Sequence, residues 1–318
     1  MESQYFFGVD VSKHLLDVAE ASGSEVARIQ QTPTAIRKWL QRLPPQACIG
    51  VESTGDLHKM LVRAAVAAGH RVYVLNANDL SHYARALGRR AKTDRLDALL
   101  IARYLAKEYE QLHPYRLPSA LQAKLDELIS RRHKVVVTRG ALRQSFAGMT
   151  HRPPALARAM RALQALLTQI DQQLAAVTAQ DAQLGPIAQR LQTIMGFGPL
   201  VSTTIGHALS RHDFQRADAF IAYVGLDPRA RDSGQKRGRR RLSKRGPAEL
   251  RRLLFLAAMA ASKNSLWRGY YQRYRDRGLP TTAALVILAR KLARIAFAMV
   301  KHGTQFNAEL VRTACAHP

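Results

Sequence analysis

Short apolar runs broken by turn residues over 5–11, 14–20 and 24–31 predict three short strands, the third ending at Thr32-Pro33. TAIRKWLQRL then takes a helical period and is stopped by Pro44-Pro45, and QACIGVES is a buried-strand pattern. DLHKMLVRAAVAAG predicts a helix closed by Gly69, RVYVLNA a strand, and NDLSHYARAL and TDRLDALLIARYLAKE two further helices. Two long helical patterns follow over 119–150 and 155–184, separated by Pro153-Pro154. Leu121, Leu125 and Leu128 in the first, and Leu163, Leu166, Leu167, Ile170 and Leu174 in the second, fit an antiparallel hairpin, an intermolecular coiled coil or a plain helical linker. From 187 onward, LQTIMGFGPLVSTTIGHAL reads as helix, glycine turn and helix, and the rest is mainly helical.

Placed on these elements, four carboxylates stand out. Asp10 and Glu52 lie at the ends of apolar runs, and Asp94 and Asp97 are three residues apart at a helix start, hence on one face. Clustered carboxylates repel unless a cation holds them, and oxygen ligands suit divalent Mg²⁺, with Mn²⁺ as a substitute. Singly, each has an ordinary reading as a turn or cap residue; jointly they suggest metal-assisted phosphoryl transfer. Asp17, Glu20, Glu25 and Asp56 sit in polar or turn-like settings and are expected to be solvated. The order of strands and helices is that of an RNase H-like α/β domain.

Charge points to the substrate. The net charge is +26, and it is uneven: residues 1–107 hold 15 basic and 10 acidic residues, whereas 108–318 hold 34 and 13. A polyanion is the expected partner of the second part. Residues 229–252 alone carry eleven Lys or Arg, with Asp232 and Glu249 as the acids. Lys236, Arg237, Arg239, Arg240, Arg241, Lys244 and Arg245 are candidate nucleic-acid contacts there, as are Arg131, Arg132 and Lys134, next to His133, in the first long helix. Ser233 lies inside the basic field, where arginines can stabilise a phosphoryl-transfer transition state; as an alternative, Asp232-Ser233-Gly234 is an ordinary turn. Ser243 competes with it, although its place before Pro247 looks like a lead-in to a helix. Gly196, Gly198 and Pro199 form a turn that can meet a phosphate or serve as a turn only, and Tyr270, Tyr271 and Tyr274 suit base stacking.

Cys48 and Cys315 are too few and too distant in sequence for a disulfide framework, which fits a reducing cytoplasm. No signal peptide is expected. LLFLAAMAA is too short for a membrane span, and AALVILARKLARIAFAMV is broken by Arg290, Lys291 and Arg294.

FGVDVSK, GVESTG, KTDRLDALLIARYL, LQTIMGFGP, YVGLDP, DSGQKRG and SKRGPAELRRLLFLAA, in that order over about residues 4 to 302, resemble the motifs of transposases of bacterial insertion-sequence family 110, the bridge-RNA-guided recombinases. The resemblance implies a RuvC-like N-terminal domain with an acidic tetrad at Asp10, Glu52, Asp94 and Asp97 (1–108), a helical, coiled-coil-like oligomerising linker (109–186), and a mainly helical C-terminal transposase domain with Ser233 as nucleophile (187–318). It also implies a noncoding bridge RNA that pairs with target and donor DNA, and a homo-oligomer, dimer or tetramer. The basic surface fits RNA, DNA or both. A Holliday-junction-resolvase-like nuclease, in which water attacks, and a non-enzymatic nucleic-acid-binding protein are the competing readings; neither gives both constellations a role.

Overall fold

The computed structural model describes residues 4–53, 55–88, 94–229, 240–310 and 312, with Asp94 described by its backbone. The chain divides into two compact units, Met1–Leu117 and Pro118–Pro318.

The first unit is built on a five-stranded sheet of order β3-β2-β1-β4-β5. Strands β1 (Phe6–Val11), β2 (Leu15–Glu20) and β3 (Val26–Gln30) form an antiparallel meander; β4 (Cys48–Glu52) and β5 (Arg71–Leu75) run parallel to β1. Parallel pairing needs crossovers, supplied by helices α1 (Pro33–Leu40) and α2 (Lys59–Ala67). Thr32 caps α1 by accepting from Ala35 N at 3.3 Å, with Pro33 pre-set for the first turn. The helix ends at Leu40, short of Pro44-Pro45, and Gly69 takes a left-handed φ of 84° just past α2. Helices α3 (Ala77–Ala86, capped by Asn76) and α4 (Asp94–Glu108) complete the unit.

Side chains alternate between the two faces of the sheet. Phe7, Val9, Val11, Leu16, Val18, Ile49, Val51 and Val72 form one core with Ile36 and Leu40 of α1 and Leu61, Val62 and Ala65 of α2. On the other face Cys48, Tyr73 and Leu75 meet Leu80 of α3 and Ile101 and Leu105 of α4. Burial of Cys48 pushes its thiol pKa up, as expected of a core cysteine.

Among the described residues, the regular elements of the second unit are helices and one small ribbon. Helices α5 (Ala120–Ser145) and α6 (Pro154–Gln180) form an antiparallel hairpin with Leu125, Leu128, Ile170 and Leu174 buried between them, joined by Leu184 of α7 (Leu184–Leu191). The hairpin reading of the leucine stripes is the one realised within the chain; Leu166 is exposed. Helices α8 (Pro199–Arg211), α9 (Ala217–Val224), α10 (Ala248–Ala261), α11 (Ser265–Asp276) and α12 (Thr281–His302) enclose a second core around Trp267, Phe220, Leu288 and Leu292. The ribbon pairs β6 (Pro228–Arg229) with β7 (Arg241–Leu242). Among the described residues no helix is long and apolar enough to cross a membrane.

Candidate active site

Two glycines set the geometry of the first unit. Gly8 and Gly50 are register partners on β1 and β4, and both face α4. A Cβ at Gly8 would collide with Ala102 N and Ala98 O of α4, and one at Gly50 would stand 3.0 Å from Ile101 Cγ2. The helix therefore lies directly on the sheet backbone. It runs opposite to β1: Ala98 and Ala102 lie over Gly8, while Tyr109, just past the helix, sets its ring 4.9 Å from that of Phe6. The N-terminal turn of α4 is thus carried toward the carboxyl ends of β1 and β4.

Those ends carry the acids. Asp10 and Glu52 each follow a register glycine by two residues, so both fall on the α4 face at the same height, and both are half-buried. Asp97, also half-buried, immediately precedes Ala98, and Asp94 opens the helix. Acids in a first helical turn are favoured by the partial positive charge there. Among the described residues no three His, Cys, Asp or Glu side chains converge closely enough to hold a metal ion. The donor chemistry of Asp10, Glu52 and Asp97, all carboxylate oxygen with no thiolate or imidazole, fits a hard divalent cation.

Asp17 corrects the expectation that it is solvated. It is the register partner of Asp10, is 4% exposed, and accepts from Arg28 Nε at 3.0 Å and from Nη2 at 3.4 Å. Asp56 is exposed and ion-paired with Lys59 at 2.6 Å, and Glu25 is exposed.

In the second unit, Ser233, Lys236, Arg237 and Arg239 lie outside the described residues. The chain on either side is tightly joined. A Cβ at Gly225 would clash with Arg245 O, and one at Gly246 with Tyr223 O, so two backbone segments cross in contact. Arg251 Nη1 donates to Val224 O and Gly246 O, each at 2.9 Å, and Ser243 Oγ donates to Asp227. Ser243 is thereby a staple of the ribbon. Arg240, Arg241, Lys244 and Arg245 are exposed around it.

Of the basic cluster on α5, Arg131 and Lys134 are exposed, while Arg132 is turned inward to Asp171 of α6, with Nε at 2.5 Å. His133 Nδ1 lies 2.7 Å from Glu249 Oε2, and Arg252 grips the same carboxylate through both oxygens at 2.7 and 2.6 Å. Gly196 is required by packing, since a Cβ there would strike Ala257 O of α10; Gly198 is the exposed N-cap of α8. Tyr270 and Tyr274 meet edge to face, centroids 5.3 Å apart, with Trp267 at 6.1 Å from Tyr270.

Residues 7–152 match the family model of the IS110 DEDD transposase, described as Transposase, and residues 188–272 match that of the Transposase IS116/IS110/IS902 family. The chain belongs to this transposase family. Its members are DNA transposases and recombinases, which makes the chain an enzyme of that class. Among relatives, a pilin gene-inverting protein of Moraxella bovis is 27% identical over 96% of this chain and 98% of its own length. The transposase for insertion sequence element IS1328 of Yersinia enterocolitica is 24% identical over 96% and 100%. The transposase for IS1111A of Coxiella burnetii is 32% identical over 45% of this chain and 42% of its own. The first match spans the four acids, and the second spans the ribbon and its basic flanks.

Proposed function

We propose that this member of the family is the recombinase of an insertion sequence, which cuts and rejoins DNA strands through a phosphoserine intermediate at Ser233. The observation that carries the reading is the coincidence of Gly8 with Gly50 in register under α4, which brings Asp10, Glu52 and the start of α4 to one end of the sheet. The acids occur in the order Asp, Glu, Asp, Asp that the matched family model has in its name. The strand order, with an antiparallel trio and two parallel strands, supports an RNase H/RuvC-like domain. Asp10, Glu52, Asp94 and Asp97 would hold Mg²⁺, or Mn²⁺ in its place. When bound, the ion supplies Lewis-acid neutralisation of charge on a phosphoryl oxygen.

The chain's own residues account for the rest. Ser233 Oγ forms the bond to phosphorus, the sugar oxygen of the cut strand leaves, and the adjacent arginines offset the developing charge. Arg240, Arg241, Lys244, Arg245, Arg131 and Lys134 are exposed for backbone contacts to target and donor DNA. A bridge RNA encoded beside the gene would supply sequence specificity by pairing, leaving the protein to read backbone and shape. The working form is a homo-oligomer, with the helical segment 109–186 as its oligomerising part and 187–318 as the domain that bears the serine. It acts on DNA in the bacterial cytoplasm.

Trapping on a nicked suicide duplex tests this. A protein–DNA adduct that survives denaturation, and is lost in Ser233→Ala, is the expected result. Free cleaved ends without an adduct would instead make water the nucleophile.

A further inference from the structure

Helix α11 has two unlike sides. Trp267 is fully buried, and Tyr270 and Tyr271 pack against the same core, so the aromatic residues anchor the helix from within. On the other side Ser265, Arg268, Gly269 and Gln272 recur at three- and four-residue spacing and are exposed. Residues 263–277 carry five Lys or Arg against one acid, Asp276. Elsewhere in the second unit arginines are taken up internally, Arg132 by Asp171, Arg252 by Glu249 and Arg294 by Asp218. Arg275 donates to Leu279 O, and Arg277 lies over the Tyr274 ring. Arg268 makes no such contact among the described residues, and Lys263, just before the helix, is exposed as well.

Gly269 is the second feature of that side. It sits inside a 12-residue helix, where glycine is less favourable than alanine. Gly206 of α8 has a reason within the fold, since a Cβ there would stand 3.0 Å from Ile187 Cγ2. At Gly269 a Cβ would meet no described atom within 4 Å. What the missing side chain gives is access to the helix backbone from outside.

Exposed cations beside a bare stretch of helix are complementary to a phosphodiester chain passing close to it. We propose that the first half of α11 docks on the backbone of duplex DNA, with Gly269 at the point of closest approach and Arg268 and Lys263 on phosphates. Duplex DNA is the occupant because the chain belongs to a DNA-acting class, and contacts of this kind position a duplex without reading its sequence. Asp276 lies seven residues past Gly269, about 10 Å along the axis. It accepts from Gln272 at 2.8 Å, so the acid stays at the far end of the contact. The inference rests on the DNA-recombinase class of the chain, and stands independently of serine chemistry and of a guide RNA.

The test uses the full chain and a mixed-sequence DNA duplex, with Kd read by fluorescence anisotropy across a potassium chloride series. Arg268→Gln should raise Kd about fivefold and lower the slope of log Kd against log salt by about 0.9, the share of one phosphate. Gly269→Leu should raise Kd about tenfold while the thermal midpoint rises, because leucine favours helix and the position is open. A merely structural role would move affinity and midpoint in the same direction. Arg37→Gln, which removes the same charge from the exposed side of α1, should leave Kd within about twofold. If Gly269→Leu lowers the midpoint, Arg268→Gln decides. Unchanged Kd in both α11 variants, an equal loss in Arg37→Gln, or weakening confined to RNA hairpins would overturn the proposal. A wild-type chain that binds no duplex would remove the DNA-acting reading along with it.

Discussion

Asp10 and Asp17 stand directly opposite each other across β1 and β2, two carboxylates on the face covered by α4. Like charges so placed are destabilising unless one is neutralised, and Arg28, the register partner of Asp17 on β3, does this with two hydrogen bonds. Arg28→Ala should destabilise the first unit by about 1–3 kcal/mol by leaving a buried carboxylate without that partner. Asp17→Asn combined with Arg28→Ala should recover part of the loss. Urea denaturation of the single and double variants checks this; a double variant no more stable than Arg28→Ala would show that the pair does not carry the effect.

Gly8→Ala should be costly although it adds one methyl group. The new Cβ would meet backbone of α4, which cannot rotate away, and overpacking of this kind costs about 1–3 kcal/mol. Gly23→Ala is the control, because its nearest atoms are 3.9 Å away. Thermal melts should separate the two, and strand cleavage should fall in Gly8→Ala alone as the start of α4 is lifted from Asp10.

Asp97→Ala or Glu52→Ala should abolish cleavage in Mg²⁺ while duplex DNA affinity changes less than about twofold, since most positive charge lies in 108–318. Cleavage assays paired with filter binding test this. Retained cleavage in both variants would rule out the metal-holding role of the acids.

Mixing Ser233→Ala protein with Asp97→Ala protein tests whether acids and serine cooperate between subunits. Partial recovery of recombination, about a quarter of wild type if the subunits of a dimer pair at random and activity is proportional to intact composite sites, is the expected outcome. A mixture that stays inactive while both variants fold and assemble would mean that each site is built within one chain.

Much of the first unit could be read from residues alone, because strands β1 and β4 are apolar runs with an acid at the end, and α4 opens on its own acids. What escaped reading depended on contacts distant along the chain. LLDVAE in β2 looks half-solvated, and only the later α4, with Arg28 on β3, makes Asp17 a buried residue. Arg132 looked available to nucleic acid, but its partner Asp171 lies on the facing helix of the hairpin. Gly196 reads as a turn glycine, and only α10, some sixty residues on, shows that packing also requires it to lack a side chain. The pairing of His207 with Asp126 left no local pattern, since the two are 81 residues apart.

The crossing of Gly225 with Arg245, pinned by Arg251, has a consequence for how such proteins diversify. Both ends of the intervening segment are closed onto each other by backbone contacts and by hydrogen bonds to main-chain oxygens, so the closure does not depend on what lies between. Lengthening a segment whose ends are already held costs little entropy, about 0.6 kcal/mol per doubling. The segment with Ser233 is thus a cassette. A change in its length need not disturb the contacts that close its two ends.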